Sequence, residues 1–336
     1  MSALDPHPKV SIGIPTYNRA GLLRRAAESV HAQDYRDFEL LISDNASTDG
    51  TPALGEELSR RDSRVRYIRQ PTNRGPTANF VDLVQQARGE FFMWLADDDW
   101  LDPAYVSQCL SFMVAHPDYA LVCGSAKYYR GEEFAFRDPL MNLFQDSARE
   151  RVIAYLNQVN MNGEHYGLMR RTQLLKVPYR HIIAGDWLLI ASITFMGKLK
   201  TLGSVSINRS CEGMSRDIQD LARYFGFSGS STKGTYVTIA RVLLRDIGWE
   251  SPVYNPLGKL ERLQFAVRAA GKTFVRLAGP SWEVRRRLRE LLKTVVAPGA
   301  DHETFTIKAL QAQMRYDVSE LTITPGAQVK IVLENT

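Results

Sequence analysis

The chain has 336 residues, of which 44% are hydrophobic and 24% are charged. These values are typical of a globular protein with one large domain or a domain plus an extension, and they exclude a chain without a packed core. The formal net charge is +5, and a local excess of +7 lies between Lys259 and Lys293. The rest of the chain is therefore slightly acidic, and no nucleic-acid partner is predicted.

The cysteines and the apolar runs indicate in which cellular compartment the protein is expected. Cys109, Cys123 and Cys211 are an odd number without the spacing of a disulfide framework or a zinc site, which favours a reducing environment. Residues 1–9 lack the apolar core of a signal peptide, and no apolar run reaches membrane-spanning length. We therefore expect a cytoplasmic protein, and we expect any membrane contact to be peripheral, on the inner face of the membrane.

Five short apolar segments alternate with helical segments in the first 125 residues. The predicted strands are residues 10–14, 38–43, 65–69, 91–95 and 120–123. Between them, apolar side chains recur at the three- and four-residue spacing of one helix face. Strands that alternate with helices across short polar turns indicate parallel βαβ units. The sequence therefore predicts a doubly wound α/β domain.

The fourth predicted strand is followed by three consecutive acids, Asp97, Asp98 and Asp99. An unbroken apolar run indicates a strand buried on both faces, and ligands of such sheets bind beyond the carboxyl ends of the strands. Three adjacent carboxylates repel one another, and a hard cation such as Mn²⁺ or Mg²⁺ would neutralise them. The alternative is a solvated acidic turn in which Asp102 caps the next helix and Pro103 occupies its first position.

The pattern changes after residue 131, where strands and helices no longer alternate regularly. The predicted helices are residues 151–160, 186–196, 253–279 and 282–296. The predicted extended segments are residues 167–171, 200–207 and 329–333. In the helix at 282–296, apolar residues share one face and arginines lie mostly elsewhere. Such a basic helix can lie on an anionic membrane, pack on the rest of its own chain or mediate homo-oligomerisation.

Four polar segments follow the first four predicted strands. They are Ile-Pro-Thr-Tyr-Asn-Arg at 14–19, Ser-Asp-Asn-Ala-Ser-Thr-Asp-Gly-Thr at 43–51, Asn-Arg-Gly at 73–75 with Asn79, and Ala-Asp-Asp-Asp at 96–99. In this order, the segments resemble the inverting family 2 glycosyltransferases of GT-A fold. The resemblance covers about residues 9–215. It implies a doubly wound mixed sheet followed by a mainly helical extension.

The resemblance also implies a division of the chain. A GT-A catalytic domain would span residues 1–216, with a nucleotide-sugar half at about 9–125 and an acceptor half at about 126–216. Residues 217–336 would form the mainly helical, basic C-terminal region.

The family further implies a nucleoside-diphosphate sugar donor and a divalent metal, Mn²⁺ or Mg²⁺. Carried over by position, the nucleotide-sugar-binding residues are Pro15, Thr16, Tyr17, Asn18, Asp44, Asn45, Arg74, Asp97 and Asp98. Asp99 would be the principal metal ligand, with Asp97 as the second. For Arg74, a solvated loop arginine is the alternative. Many relatives carry an acid where this chain has Asn45, and an amide oxygen can still accept from a uracil or thymine ring NH. A UDP-sugar is therefore the favoured donor, and a dTDP-sugar is the alternative.

A general base is implied further along the chain. The attacking acceptor hydroxyl must lose a proton to a carboxylate, and relatives place that carboxylate at the start of a helix, where this chain has Asp186. The alternative for Asp186 is a simple N-cap. Many relatives later carry Tyr-Arg-x-His, which corresponds here to Asn-Arg-Ser-Cys at 208–211. Cys211 is too soft a ligand for Mg²⁺ or Mn²⁺ and is expected to be a small, partly buried side chain, and His165 is expected to be structural.

These features lead to one leading function and two alternatives. The leading hypothesis is an inverting glycosyltransferase that acts in cell-envelope polysaccharide biosynthesis, with a saccharide or a lipid-linked acceptor. The Gly-x-Gly-x-x-Gly of a nucleotide-binding oxidoreductase is missing after the first strand. The alternatives are a non-catalytic nucleotide-sugar binding protein and a metal-dependent phosphatase that uses the cluster Asp97–Asp99.

Overall fold

The computed structural model describes residues 7–211, 232–278, 302–310, 315–316 and 328–335. The chain divides into two compact units, Met1–Phe225 and Gly226–Thr336. The predicted domain boundary at residue 216 and the predicted basic helix at 282–296 lie outside the described residues. Both stay predictions.

The first unit alternates strands and helices. Its strands are β1 (Val10–Thr16), β2 (Phe38–Asp44), β3 (Val65–Arg69), β4 (Phe91–Trp94), β5 (Trp100–Leu101), β6 (Tyr119–Arg130), β7 (Glu133–Arg137), β8 (Asn142–Leu143), β9 (Leu168–Arg170) and β10 (Lys198–Ser210). Its helices are α1 (Ala20–His31), α2 (Thr51–Arg61), α3 (Pro76–Gln86), α4 (Tyr105–Ala115), α5 (Ala148–Gln158), α6 (Arg171–Leu174) and α7 (Gly185–Met196). A short 3₁₀ turn, Gly163–Tyr166, lies between α5 and β9.

Within residues 7–211, these strands form one ten-stranded sheet. The order is β3-β2-β1-β4-β9-β6-β10-β5, with β7 beside β6 and β8 beside β10. Strands β3, β2, β1 and β4 run parallel to one another, whereas β9 is antiparallel to both β4 and β6. The predicted doubly wound, mixed α/β sheet is thus confirmed.

The central strands carry the core of this unit. Every residue of β1, β2 and β4 is buried, because helices cover both faces of a doubly wound sheet. The prediction that Asp102 caps α4 is wrong, since the N-cap position is Ala104. The Asp102 carboxylate instead accepts hydrogen bonds from the Ser206 amide at 2.8 Å and from Asn208 Nδ2 at 2.9 Å. Asp102 therefore fixes the segment after β4 against β10.

The second unit contains helices and a small sheet. Its helices are α8 (Thr232–Arg245) and α9 (Lys259–Ala278), and its strands are β11 (His302–Leu310), β12 (Arg315–Tyr316) and β13 (Gln328–Asn335). Strand β11 is parallel to β13 and antiparallel to β12. The predicted helix at 253–279 is confirmed by α9, α8 is a helix without an individually predicted range, and the candidate strand at 329–333 falls within β13. Among the described helices, none has both the length and the apolar character that a bilayer crossing requires.

Gly55 provides a test of how α2 packs on the sheet. A Cβ added at Gly55 would stand 2.2 Å from Cδ2 of Tyr67 on β3. We expect Gly55→Ala to lower the free energy of unfolding by about 1–3 kcal/mol, because overpacking of the Tyr67 ring outweighs the gain in helix propensity. Gly21→Ala in α1 is the matched control, since a Cβ there meets no described atom within 4 Å, and it should be neutral or slightly stabilising. Urea-unfolding midpoints measure both variants, and equal midpoints would contradict this packing.

Candidate active site

The carboxyl ends of β1, β2 and β4 bring the predicted donor-site segments together. Thr16 pairs directly with Asp44 across the two parallel strands β1 and β2. The Thr16 hydroxyl donates a hydrogen bond of 2.8 Å to Asp97 Oδ2, in the turn after β4. The segments after three different strands therefore meet at one edge of the sheet, where ligands of open α/β sheets bind.

Arginines from the chain itself neutralise the three acids. Arg19 Nη1 lies 3.1 Å from Asp97 Oδ1 and 3.2 Å from Asp98 Oδ2. Arg209 Nε lies 3.1 Å from Asp99 Oδ2, and the Ser210 amide donates to Asp99 Oδ1 at 3.2 Å. Two arginines therefore already offset part of the charge for which the sequence analysis expected a metal ion, and the metal ligands stay a prediction. Nothing in the spacing pairs Arg209 with Asp99, which is 110 residues earlier in the chain.

A third arginine supports the backbone of the acid turn. Arg25 Nη2 donates a hydrogen bond of 2.8 Å to the carbonyl oxygen of Asp98, and its guanidinium lies 4.0 Å from the centre of the Trp100 ring. Arg25 belongs to α1, so the first helix holds the turn in place. The sequence analysis did not single out Arg25, which lies on α1 beyond the first motif.

Two of the acids are buried. Asp97 and Asp99 are 6% and 2% exposed. Burial raises the pKa of each to about 6, against the opposing effect of Arg19 on Asp97 and of Arg209 on Asp99. An acid whose pKa is raised by burial ionises more completely when a further positive charge comes near. The cluster can therefore accept an additional cation despite its arginines.

The donor atoms fit a metal ion that arrives with a diphosphate. No group of three or more His, Cys, Asp or Glu side chains is placed to hold a metal ion in the part of the chain that the structure describes. Asp97 and Asp99 supply hard carboxylate oxygens, and each oxygen that accepts one hydrogen bond keeps a lone pair. Mg²⁺ is commonly bound by one or two carboxylates together with substrate phosphates and water.

Cys211 is partly buried, as expected.

The two residues predicted to meet the base edge hold the neighbouring loops. Asp44 is fully buried, and it accepts hydrogen bonds from the Ser47 amide at 2.8 Å and from the Tyr67 hydroxyl at 2.6 Å. The Asn45 side chain donates to Asn73 Oδ1 and accepts from the Arg74 amide, both at 2.9 Å. Both side chains are thus engaged by the chain itself. Their contact with a base stays a prediction.

The remaining residues predicted to bind the nucleotide sugar differ in how far their side chains are exposed to solvent. Pro15 is buried in β1, whereas Tyr17 is 44% exposed. Asn18 adopts a left-handed conformation with φ of 54°, and its Oδ1 accepts from the Thr48 amide at 2.7 Å. Arg74 Nη1 pairs with Asp82 at 2.6 Å on α3. Arg74 also lines a cleft of about 450 Å³, formed by α3 together with Tyr179 and His181.

Asp186 is the second residue of α7. The N-cap position belongs to Ala184, so the N-cap interpretation of Asp186 is wrong. Asn162 Nδ2 donates a hydrogen bond of 2.9 Å to Asp186 Oδ2. Burial raises the pKa of Asp186, and the hydrogen bond from Asn162 and the more distant Arg209 oppose that rise. Asp186 as a residue is partly exposed to solvent, and burial of its carboxyl is the largest cause of the raised pKa.

His165 is buried among aromatic rings. Its ring stacks parallel on Trp94 with the centroids 5.0 Å apart. Its Nδ1 meets no hydrogen-bond partner among the described residues, and burial lowers its pKa to about 3. A neutral ring in the core agrees with the expected structural role, although one of its nitrogen atoms is unsatisfied.

Comparison with known proteins gives a family and several relatives. Residues 11–177 match the family model described as Glycosyl transferase family 2. The chain is 38% identical over 121 residues to the GalNAc(5)-diNAcBac-PP-undecaprenol beta-1,3-glucosyltransferase of Campylobacter jejuni, an alignment that covers 35% of this chain and 38% of that protein. The putative colanic acid biosynthesis glycosyl transferase WcaA of Escherichia coli is 28% identical over 153 residues, which are 46% of this chain and 54% of that protein. The chain spans about a third to a half of the length of the curated relatives it matches.

Solved structures show the same fold at low identity. S. aureus TarS 1-349 in complex with UDP-GlcNAc is 17% identical, with a TM-score of 0.57, and the match covers 85% of this chain and 80% of TarS 1-349. The mannosyltransferase PcManGT from Pyrobaculum calidifontis, in complex with GDP-Man and Mn²⁺, is 16% identical, with a TM-score of 0.50 over 86% of this chain and 81% of that one. At these identities the likeness shows the GT-A fold alone.

Proposed function

This chain belongs to the family 2 glycosyltransferases, and from that premise we propose that it moves a sugar from a nucleoside-diphosphate sugar to a saccharide or lipid-linked acceptor, with inversion. The observation that carries the proposal is a run of contacts that links the acid cluster to the start of α7. Arg209 Nε donates to Asp99 Oδ2 at 3.1 Å, and its Nη1 donates to the Met161 carbonyl at 3.2 Å. The next residue, Asn162, donates from Nδ2 to Asp186 Oδ2 at 2.9 Å, which supports treating the cluster and Asp186 as parts of one site.

The proposed donor is a UDP-sugar, with a dTDP-sugar as the alternative. Tyr17 is exposed at the edge where β1 ends, which suits contact with a base or ribose. The TarS structure, which has the same fold, was solved with UDP-GlcNAc. That ligand supports the proposal of a uridine nucleotide for this chain. The thermal-shift screen described below identifies which sugar the donor carries.

We propose that Asp99, together with Asp97, holds Mn²⁺ or Mg²⁺ when the diphosphate binds. When bound, the ion offsets the negative charge that develops on the leaving diphosphate. Arg19 and Arg209 keep the buried carboxylates neutralised in the absence of substrate. This arrangement makes metal affinity depend on the nucleotide, because the chain alone supplies few ligands.

Asp186 is the proposed general base. As the acceptor hydroxyl attacks the anomeric carbon, the bond from that carbon to the diphosphate oxygen breaks, and the hydroxyl proton passes to the Asp186 carboxylate. Attack from the face opposite the leaving group inverts the anomeric configuration. A base is more effective when its pKa is close to the working pH, and burial moves the pKa of Asp186 in that direction.

We propose a lipid-linked acceptor as the leading choice and a saccharide as the alternative. The C. jejuni relative is named for a substrate that carries PP-undecaprenol. Basic residues of the C-terminal region would then support peripheral contact with an anionic membrane at its inner face. The cytoplasmic location and the homo-oligomer stay predictions.

A thermal-shift screen of nucleotide sugars, with Mn²⁺ and with EDTA, tests this function. Binding to the native state raises the melting temperature by mass action. We expect the cognate nucleotide sugar at a hundredfold excess over its Kd to raise the melting temperature by about 5 °C with Mn²⁺, and clearly less with EDTA. UMP is the matched control because it lacks the diphosphate. If no nucleotide sugar stabilises the protein more than UMP does, the proposal is wrong.

A further inference from the structure

The side chain of Asn162 is held between two partners. Asn162 is 4% exposed and lies in the turn before Gly163–Tyr166. The Tyr155 hydroxyl donates a hydrogen bond of 2.8 Å to Asn162 Oδ1, and Asn162 Nδ2 donates one of 2.9 Å to Asp186 Oδ2. The contact with Tyr155 fixes which end of the amide faces Asp186, so the carboxylate receives an N–H donor.

The backbone at this position also favours asparagine. Asn162 has a left-handed conformation with φ of 51°. Among residues with a side chain, Asn and Asp tolerate this conformation best. Only Asn combines that tolerance with a neutral N–H donor, since Asp would place a second carboxylate against Asp186. Backbone and side chain thus require the same residue.

The turn that carries Asn162 is tied to the acid cluster. Arg209 Nη1 donates to the Met161 carbonyl at 3.2 Å, while its Nε pairs with Asp99 at 3.1 Å. The Arg209 guanidinium lies 5.3 Å from the Tyr128 ring centre and 4.6 Å from the Tyr166 ring centre. A buried guanidinium held by an ion pair, a carbonyl and two rings has little freedom to move. The position of Met161 relative to Asp99 is therefore fixed.

We propose that Asn162 is a positioning residue, which orients the Asp186 carboxylate toward the acceptor hydroxyl while Arg209 fixes its turn relative to Asp99. This inference rests on the proposed function, in which Asp186 is the general base. The hydrogen bond from Asn162 favours the ionised form of the base and restricts its rotation. The side-chain contacts run from Asp99 through Arg209 and the backbone of the turn to Asp186, so the two halves of the site keep one geometry.

The groups around Asp186 determine how the pKa of Asp186 responds when Asn162 is replaced. Burial raises the pKa of Asp186, and the Asn162 hydrogen bond, the amides of Asp186 and Trp187, and Arg209 lower it. Tyr166 lies within electrostatic range of Asp186, and burial raises the pKa of the Tyr166 hydroxyl far above the working range. Loss of the Asn162 donor therefore moves the pKa of Asp186 upward, and the base becomes ionised only at higher pH.

The experiment compares Asn162→Gly with the wild type in the metal-dependent release of UDP from UDP-glucose or UDP-N-acetylglucosamine, whichever the wild type hydrolyses faster. Gly keeps the left-handed backbone and deletes the amide. We expect kcat to fall about 10- to 100-fold with an unchanged donor KM, and the acidic limb of the kcat/KM profile to move up by about one pH unit. Asn160→Gly, an exposed position two residues earlier, is the control and should match the wild type.

Two further measurements separate the possible failures. The carbon-13 carboxyl shift of Asp186, assigned by comparison with Asp186→Asn, gives its pKa directly, and it should rise in Asn162→Gly even if turnover is too slow to measure. If Asp186→Asn abolishes turnover but Asn162→Gly changes neither kcat nor the pKa of Asp186, the positioning role is wrong and the proposed function stands. If Asp186→Asn keeps full turnover, Asp186 is not the general base, and the positioning role of Asn162 fails with that assignment.

Discussion

Asp186→Asn is expected to lower turnover of the donor sugar by about 10²- to 10⁴-fold, the range of a lost general base, while the affinity for nucleotide is retained. The amide keeps the size of the carboxyl and an oxygen that can accept from Asn162, so the start of α7 should be undisturbed. It cannot take a proton from the acceptor hydroxyl at neutral pH. Turnover is measured as UDP release, and nucleotide affinity by calorimetry on the same preparation.

The pH dependence of wild-type activity tests the role of Asp186 as general base independently. Asp186 acts only when it is ionised, and burial raises its pKa above the ordinary range of an aspartate. Wild-type activity should therefore rise with pH through that raised pKa and level off above it. Asp146→Asn is the matched control, because the Asp146 side chain is 99% exposed, and it should keep both the rate and the profile. A rate for Asp186→Asn equal to that of the wild type would remove Asp186 from the mechanism.

Asp99→Asn is expected to weaken the metal-dependent binding of UDP by about 100-fold or more, since even residues that only support a ligand contribute 10- to 100-fold to metal affinity. Calorimetry with Mn²⁺ and with EDTA measures this directly and needs no turnover. Asn is preferred to Ala because it keeps an oxygen acceptor for Arg209 Nε. Both substitutions remove the counter-charge of the buried guanidinium, at a cost of about 3–5 kcal/mol, and Ala would remove the hydrogen-bond acceptor as well.

Asp102→Asn is the matched control for the metal site. Asp102 lies three residues further along the same segment, and its carboxylate bonds Ser206 and Asn208 of β10. It should retain Mn²⁺-dependent UDP binding close to that of the wild type. Equal binding by Asp99→Asn and the wild type would show that Asp99 is not a metal ligand. Binding with no UDP release by the wild type would instead favour the non-catalytic nucleotide-sugar binding protein.

Local features of the sequence determined the elements and their type. Apolar runs of strand length became β1, β2 and β4, whose every residue is buried. The helix predicted to start at residue 186 begins at Gly185. The order of polar segments after the strands also identified the family. These features can be predicted from the sequence because the periodicity of buried residues and the residue preferences of turns depend on residues that are close in the chain.

The tertiary structure alone decided which charged group meets which. The sequence left Asp97, Asp98 and Asp99 without counter-ions, and the fold brings Arg19 and Arg209 to them from 78 to 110 residues away. Asn162, which had no distinguishing pattern around it, reaches Asp186 only because α7 packs beside the turn after α5. The physical reason is that each of these contacts joins residues far apart in the sequence, so it forms only when the elements that carry them pack together. Packing of whole helices and strands sets those distances, and short-range sequence patterns carry no record of them.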